Sequence, residues 1–399
     1  MLPNMRRFDK KWPVLRRWPF LKLMLMVLVV LFVVNILYSS ANLYNERDFS
    51  RSSSDATNNT SSAKELKTSI AVVVVSCHRS DVSECLDSIM NANGFSTLPF
   101  DYYISQGCRN EKVSTLVKTY HNFTYMEFIP SNVYNPGYIS MSWHFKSFLT
   151  KIFDELQYPK VILIEDDLLI SADFFEYFMK MKDLLDIDET VLCISAWNDN
   201  GYHKYAHDTY TFQRTEFFPG YGWMITKKLW DEIKNGWPDR YWDEYFRNPL
   251  ISKGRSCVYP EVSRTENIGK FGTSGTDFYL KYILPIKRNT QKLNYDEIQI
   301  ENLTIEKYTA SFIELYQKAI PVNITHYDAI LTFANHSYYK IEFKGRESYQ
   351  ELCNKFDITY STRYHIPRTS YHKITLLNLG THKVFLYPSS DSLELDEKN

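Results

Sequence analysis

The chain has 399 residues, with 46 lysines and arginines against 47 aspartates and glutamates. That length is enough for one large domain or two smaller ones, each able to bury an apolar core. The balanced charge argues against a nucleic-acid-binding protein, which normally has a basic excess on one face. We therefore expect a partner that is neutral or that brings its own counter-ion.

The N-terminal region predicts a single transmembrane anchor. Residues 1–22 are rich in arginine and lysine, and residues 23–38 form an apolar run without an acidic side chain. With the apolar residues just before it, this run approaches the roughly 20 residues that span a bilayer, and the basic flank should stay in the cytoplasm. A cleaved signal peptide is the alternative, because small residues follow at 39–41, but the long basic flank favours an anchor.

The rest of the chain would then be lumenal, where sequons can be glycosylated and disulfides can form. The sequons begin at Asn58, Asn59, Asn122, Asn302, Asn323 and Asn335. The chain contains 6 cysteines without a CxxC pair, which argues against a zinc site.

Residues 39–69 are polar and predict a stem, and a folded body is expected from Ile70 onward. The β-branched run at Ile70–Val75 is typical of a strand that is covered on both faces. The other expected strands are Tyr102–Ser105 and Lys160–Ile164, and the expected helices are 80–91, Glu111–Tyr120, Ser142–Glu155 and Asp173–Leu184.

This alternation predicts an α/β fold with a mostly parallel central sheet over residues 70–286. In such sheets, ligands bind beyond the carboxyl ends of the strands. Residues 287–399, which we call the C-terminal region, contain short apolar segments such as Ile374–Leu377 and Val384–Tyr387 but no motif. We expect this region to pack on the preceding domain, and its role is left open.

An acidic triplet, Glu165, Asp166 and Asp167, directly follows the expected strand Lys160–Ile164. Three consecutive acids at the end of a strand repel one another, and a bound cation is the usual reason that such a cluster is tolerated. Oxygen ligands of this kind suit Mn²⁺ or Mg²⁺. The alternative is a solvated loop that caps the next helix.

Around this triplet the sequence resembles the N-acetylglucosaminyltransferase I family, which includes the protein O-mannose N-acetylglucosaminyltransferases. Five ordered blocks carry the resemblance, which extends from about Ile70 to Leu284. The blocks are Glu165–Phe178 (EDDLLISADFFEYF), Ser195–Gly201 (SAWNDNG), Arg214–Trp223 (RTEFFPGYGW), Trp237–Phe246 (WPDRYWDEYF) and Gly254–Thr265 (GRSCVYPEVSRT).

The resemblance implies a GT-A fold, a UDP-GlcNAc donor, a Mn²⁺ ion and inversion at the anomeric carbon. It assigns Asp167 as the direct metal ligand, with Glu165 and Asp166 facing the ribose and the sugar of the donor. Arg79 matches the family's arginine near the uracil. The disulfides that the resemblance implies are Cys77–Cys108 and Cys193–Cys257.

An inverting transferase needs a base that takes the proton from the attacking acceptor hydroxyl. The resemblance assigns this role to Asp243, with Glu244 as the fallback, whereas the residues alone favour a surface acid at a helix start. Trp242 would help to wall the donor sugar, although a core position is commoner for a tryptophan. The loop 269–276 resembles the family's flexible loop, which implies a lid that excludes water, with Ser274 as the candidate phosphate contact.

The chain departs from the family pattern at two places. Gln106 and Gly107 stand where an aspartate commonly precedes the second cysteine, and Gly275 and Thr276 replace a histidine and a glycine. These departures concern the uridine contact and lid closure, but not the metal or the base.

The sequence therefore predicts a Golgi type II membrane enzyme that adds β1,2-linked GlcNAc to a terminal α-mannose of N-glycans. The short stem and the lack of an added lumenal module favour this function over the alternative, a protein O-mannose β1,2-N-acetylglucosaminyltransferase. A catalytically inactive glycan-binding membrane protein of the same fold is a third possibility, which the intact triplet and Asp243 disfavour.

Overall fold

The computed structural model describes residues 66–130, 137–269, 276–323 and 338–389. The expected anchor at 23–38 and nearly all of the expected stem lie outside these residues. Within the described ranges, no helix combines the length and the apolar character needed to cross a bilayer.

An eight-stranded mixed sheet forms the centre of the fold. In spatial order its strands are β3 (Thr124–Glu127), β2 (Phe100–Gln106), β1 (Ile70–Ser76), β4 (Lys160–Glu165), β8 (Trp223–Thr226), β6 (Val191–Ser195), β9 (Ser256–Pro260) and β7 (Phe212–Thr215). Strands β8 and β7 are antiparallel to their neighbours, and the others run in one direction. The predicted α/β fold with a mostly parallel sheet is confirmed.

Strand β1 is buried over its whole length because its side chains alternate between two cores. Val72 and Val74 pack in the core on one face of the sheet, together with Leu86 of the first helix. Ala71 and Val73 pack in the core on the other face. This double burial explains the unbroken apolar run that made β1 recognisable in the sequence.

Helices cover both faces of the sheet and include those expected from the sequence. They are α1 (Val82–Met90), α2 (Glu111–Val117), α3 (Tyr138–Thr150), α4 (Phe174–Met181), α5 (Leu184–Ile187), α6 (Lys227–Ile233), α7 (Trp242–Arg247), α8 (Pro249–Ser252) and α9 (Thr276–Phe278). Helix α3 begins at Tyr138 rather than at Ser142, and a π-helical turn at Lys151–Glu155 continues it. The helix expected at Asp173–Leu184 is divided into α4 and α5.

A two-stranded antiparallel ribbon lies beside the central sheet. It pairs β5 (Leu168–Ile170), which follows the acidic triplet, with β10 (Thr265–Asn267). Short helical turns at Lys234–Gly236, Tyr279–Ile283, Tyr295–Glu297 and Ile300–Leu303 complete this part of the chain.

The described part of the C-terminal region forms its own five-stranded sheet with two helices. Its strands, in spatial order, are β11 (Ile320–Pro321), β12 (Tyr338–Phe343), β17 (His382–Pro388), β16 (Ile374–Leu379) and β15 (Ser370–Tyr371), and its helices are α10 (Ile305–Lys318) and α11 (Gly345–Phe356). A separate hairpin pairs β13 (Thr362–Arg363) with β14 (Ile366–Pro367). The apolar segments noted in the sequence are parts of β16 and β17.

Buried polar contacts join the C-terminal region to the central sheet. The Nδ2 of Asn378 donates to the buried carboxylate of Glu261 at 2.6 Å. Asn200 donates to Oγ1 of Thr369 at 2.7 Å. Because unpaired buried polar groups are costly, these contacts specify how the two parts meet.

Candidate active site

The acidic triplet lies at the carboxyl end of β4. Glu165 is in register with Val75 of β1, and the N–H of Asp166 donates to the carbonyl of Val75 at 3.0 Å. The Oδ2 of Asp166 accepts from the N–H of Cys77 at 3.2 Å. Asp166 and Asp167 are only 8% and 9% exposed. Backbone pairing therefore holds the acids at a largely buried edge of the sheet.

Burial and repulsion from neighbouring acids disfavour the ionised forms of Glu165 and Asp166. Burial raises the pKa of Asp166 to about 6, and the charge of Asp167 adds to the rise. Burial likewise raises the pKa of Glu165 to about 8, and the charges of Asp167, Asp166 and Asp243 add to it. Positive charge beside the triplet would stabilise the carboxylates.

Arg79 supplies part of that charge from the loop that follows β1. Its guanidinium forms an ion pair with Asp167, and its Nη1 lies 3.8 Å from Oδ1 of Asp166. The structure thus brings Arg79 to the triplet. Its assigned contact with uracil stays a prediction.

The triplet offers the type of donor that suits a divalent cation such as Mn²⁺ or Mg²⁺. Its donors are carboxylate oxygens, which these ions prefer, and a cation would relieve the repulsion within the cluster. The carboxylates of the triplet are not among the groups of three side chains whose ligand atoms lie within 4.8 Å of one another; among the described residues that group is Cys77, His78 and Cys108. Its two sulfur atoms are joined in a disulfide, so they are not thiolate ligands.

Asp243 lies close enough to the triplet for its charge to raise the pKa of Glu165. It is the second residue of α7, which begins after Tyr241 in a left-handed conformation with φ of 56°. Trp242 anchors this helix start, since it is 5% exposed and stacks on Phe145 and Trp223 with ring centroids 4.1 and 5.5 Å away. The structure therefore gives Trp242 the core position that the sequence left open.

Arg247, one turn further along α7, holds Asp243 in place. Its Nη1 donates to Oδ2 of Asp243 at 2.6 Å and to Oε1 of Glu244 at 3.0 Å. Its Nε donates to the carbonyl of Phe218 at 3.3 Å, and its guanidinium lies over the ring of Phe217. The candidate base is therefore paired with a buried guanidinium group.

The turn after β2 is shaped by packing around His144. The side chain of Gln106 forms its hydrogen bonds within the protein. It donates to the carbonyls of Cys108 and Asn110 and accepts from two hydroxyls. A Cβ atom at Gly107 would overlap the imidazole of His144. The aspartate that is common in the resembling family has no room at Gly107 beside this histidine.

Known proteins place the chain in a family. A model of the GNT-I family matches residues 33–399. This chain belongs to the GNT-I family. The alpha-1,3-mannosyl-glycoprotein 2-beta-N-acetylglucosaminyltransferase of Arabidopsis thaliana is 32% identical over 339 residues, with 82% of this chain and 76% of that protein covered. The resemblance recognised in the sequence is therefore confirmed, and it extends over the C-terminal region.

Solved structures overlap with this GNT-I family member over about half of its length. TarS of S. aureus, solved with UDP-GlcNAc, gives a TM-score of 0.35 at 11% identity, covering 53% of this chain and 64% of that chain. The mannosyltransferase PcManGT of Pyrobaculum calidifontis, solved with GDP-Man and Mn²⁺, gives 0.32 at 13% identity, covering 49% and 57%. Similarities this low do not indicate which ligands this chain binds.

The structure contains the disulfide pairs that the GNT-I resemblance implied. Cys77–Cys108 joins the ends of β1 and β2 with a Cα–Cα distance of 5.1 Å, and Cys193–Cys257 joins β6 and β9 at 4.6 Å. Ser274, the expected phosphate contact, lies in 270–275, outside the described residues.

Sequence reasoning missed the arginines that contact the site, namely Arg247 and Arg363. Arg247 stands four positions after the aspartate that it binds, and that spacing on a helix was the available indication. Arg363 contacts Glu244 from 119 positions away, and nothing in the sequence indicated that contact.

Proposed function

We propose that this member of the GNT-I family is an inverting N-acetylglucosaminyltransferase of GT-A fold. It would move GlcNAc from UDP-GlcNAc to a terminal α-mannose of N-glycans in β1,2 linkage. The observation that carries the proposal is that Asp243 lies within electrostatic reach of the buried acidic triplet. The name of the Arabidopsis relative supports the mannosyl acceptor.

The triplet would bind the donor side of the reaction. Asp167 would be the direct ligand of Mn²⁺, with Glu165 and Asp166 toward the ribose and the sugar. When bound, Mn²⁺ supplies Lewis-acid stabilisation of the negative charge that grows on the departing diphosphate. Arg79, paired with Asp167, would add positive charge on the same side.

Asp243 would act on the acceptor side as general base. Its carboxylate accepts the proton of the mannose hydroxyl while that oxygen attacks the anomeric carbon opposite the leaving group. Arg247 holds this carboxylate in place, because its Nη1 donates to Oδ2 of Asp243 at 2.6 Å. These separate roles of the triplet and Asp243 are consistent with inversion at the anomeric carbon, because an inverting reaction needs one base and no covalent intermediate.

We further propose that the enzyme is a type II membrane protein of the Golgi. The apolar run at residues 23–38, with the basic residues before it, would be the signal anchor. The disulfides Cys77–Cys108 and Cys193–Cys257 support a lumenal catalytic domain, because disulfides persist in oxidising compartments.

A transfer assay tests the proposed function. The full chain, purified in detergent, would receive UDP-GlcNAc and Mn²⁺ with either a high-mannose N-glycan or an O-mannosylated peptide. We expect the N-glycan to gain one GlcNAc, measured by mass, with release of UDP and loss of transfer when the metal is chelated. Reaction of the peptide alone would favour the O-mannose enzyme, and donor binding without transfer would favour an inactive glycan-binding protein.

A further inference from the structure

A chain of hydrogen bonds connects the C-terminal region to the candidate base. Arg363, in the hairpin β13–β14, donates from Nε to Oε1 of Glu244 at 2.7 Å. The same oxygen accepts from Nη1 of Arg247 at 3.0 Å, and that Nη1 donates to Oδ2 of Asp243 at 2.6 Å. The contacts are continuous from Arg363 to Asp243.

The charges in this chain alternate, and the alternation depends on Arg363. Glu244 lies between two guanidinium groups, whereas Arg247 serves two carboxylates through one nitrogen. Without Arg363, Glu244 would be neutralised by Arg247 alone and would compete with Asp243 for that nitrogen. Arg247 is buried, so it has little solvent to compensate for a misplaced partner.

The hairpin that carries Arg363 is held against the central sheet by a second contact. Arg368, just beyond β14, donates to the buried carboxylate of Asp199 at 2.6 Å. Its guanidinium lies 4.8 Å from the centroid of the Phe217 ring, and that of Arg247 lies 4.9 Å from the same ring. The hairpin therefore packs beside Arg247. The contacts of Arg368 help to hold Arg363 next to Glu244.

We propose that Arg363 is a positioning residue for the transfer reaction: by holding Glu244, it leaves Arg247 to orient Asp243 toward the acceptor hydroxyl. The C-terminal region thereby completes the active site. This inference rests on the proposed function.

Kinetics of Arg363→Gln in the full chain test the inference. Because the Arg363 side chain is 46% exposed, we expect a moderate effect, with kcat about three- to ten-fold lower and unchanged KM for UDP-GlcNAc and for the glycan. Arg363→Lys should restore part of kcat. The matched control is Lys204→Gln, which removes another exposed ion pair to the C-terminal region, the 2.8 Å pair with Asp357, and should leave kcat unchanged.

A double-mutant cycle tests the route through Glu244. If Arg363 acts by holding Glu244, Arg363→Gln should cause no further loss of kcat in a Glu244→Gln background. Additive losses, or a higher KM for the glycan at unchanged kcat, would overturn the inference. If the wild type transfers GlcNAc and Arg363→Gln equals it, only the inference fails; if the wild type transfers none, the proposed function fails as well.

Discussion

The backbone of Gly269 lies directly against the carboxylate of Asp167. A Cβ atom at position 269 would overlap Oδ2 of Asp167 and crowd Nη1 of Arg79. The N–H of Ile268 also donates to the carbonyl of Asp167 at 2.8 Å. The segment that leads into the expected lid therefore forms one wall of the proposed metal site.

Gly269→Ala should weaken binding of Mn²⁺ by about ten-fold, because the added methyl group would displace the carboxylate of Asp167. A ten-fold change in affinity corresponds to about 1.4 kcal/mol of binding free energy. Calorimetric titration with Mn²⁺ alone measures this affinity. The control is Gly380→Ala, where a Cβ would meet no atom within 4 Å but φ is +59°. It should lower stability without changing the metal affinity. Equal affinities in the wild type and Gly269→Ala would contradict the assignment of Asp167 as ligand.

Asp243→Asn should lower kcat by about 10²- to 10⁴-fold, since the amide cannot accept the proton of the acceptor hydroxyl. Binding of UDP-GlcNAc should be retained, because Asp243 is assigned to the acceptor side. The matched control is Asp239→Asn, an exposed aspartate just before α7. Retained turnover in Asp243→Asn, with turnover lost in Glu244→Gln, would transfer the role of base to Glu244.

Gly107→Ala should lower the free energy of unfolding by about 1–3 kcal/mol, as expected for overpacking. The cause is overlap between the new methyl group and the imidazole of His144. In a His144→Ala background the same substitution should cost much less, which chemical denaturation can measure. Equal costs in both backgrounds would show that His144 is not the obstacle.

His144 should make the protein sensitive to acid. Burial lowers the pKa of this histidine to about 3, whereas a histidine in the unfolded chain has a pKa of ~6.5. Between these values only the unfolded chain binds the proton, so the free energy of unfolding falls as pH decreases below ~6.5, by up to about 1.4 kcal/mol per pH unit.

Denaturation of the wild type and His144→Gln at several pH values measures this contribution. The glutamine can still hydrogen-bond Ser105, whose Oγ lies 2.7 Å from Nε2 of His144 in the wild type. The stability difference between the two proteins should therefore change with pH below ~6.5 and be constant above it. Parallel curves would mean that His144 is not held neutral.

The sequence predicted the central strands well because of where they lie. Strands β1 and β4 are covered on both faces, and that burial produces runs of β-branched residues that differ from any helix pattern. The C-terminal sheet was not predicted, because β12 pairs with β17 across a long stretch of intervening chain. Short strands with half-exposed faces carry too weak a pattern to show such pairing.

The site was predicted in part for a similar reason. The triplet was visible as consecutive acids after a strand, whereas Asp243 depended on the family resemblance because α7 is short and its acids look like those of any helix start. The role of Arg363 follows only from the way the C-terminal hairpin is seated, which is a tertiary relationship.

The ribbon of β5 and β10 has a consequence for inhibition. One strand begins directly after Asp167 and the other ends just before Ile268 and Gly269, and because Leu168 pairs with Asn267, both positions lie at the same end of the ribbon. A displacement of either strand at this end would therefore be passed to the other through backbone hydrogen bonds. A small molecule that parted the two strands here would displace the carboxylate of Asp167 and the backbone of Gly269 together, without having to resemble nucleotide or glycan.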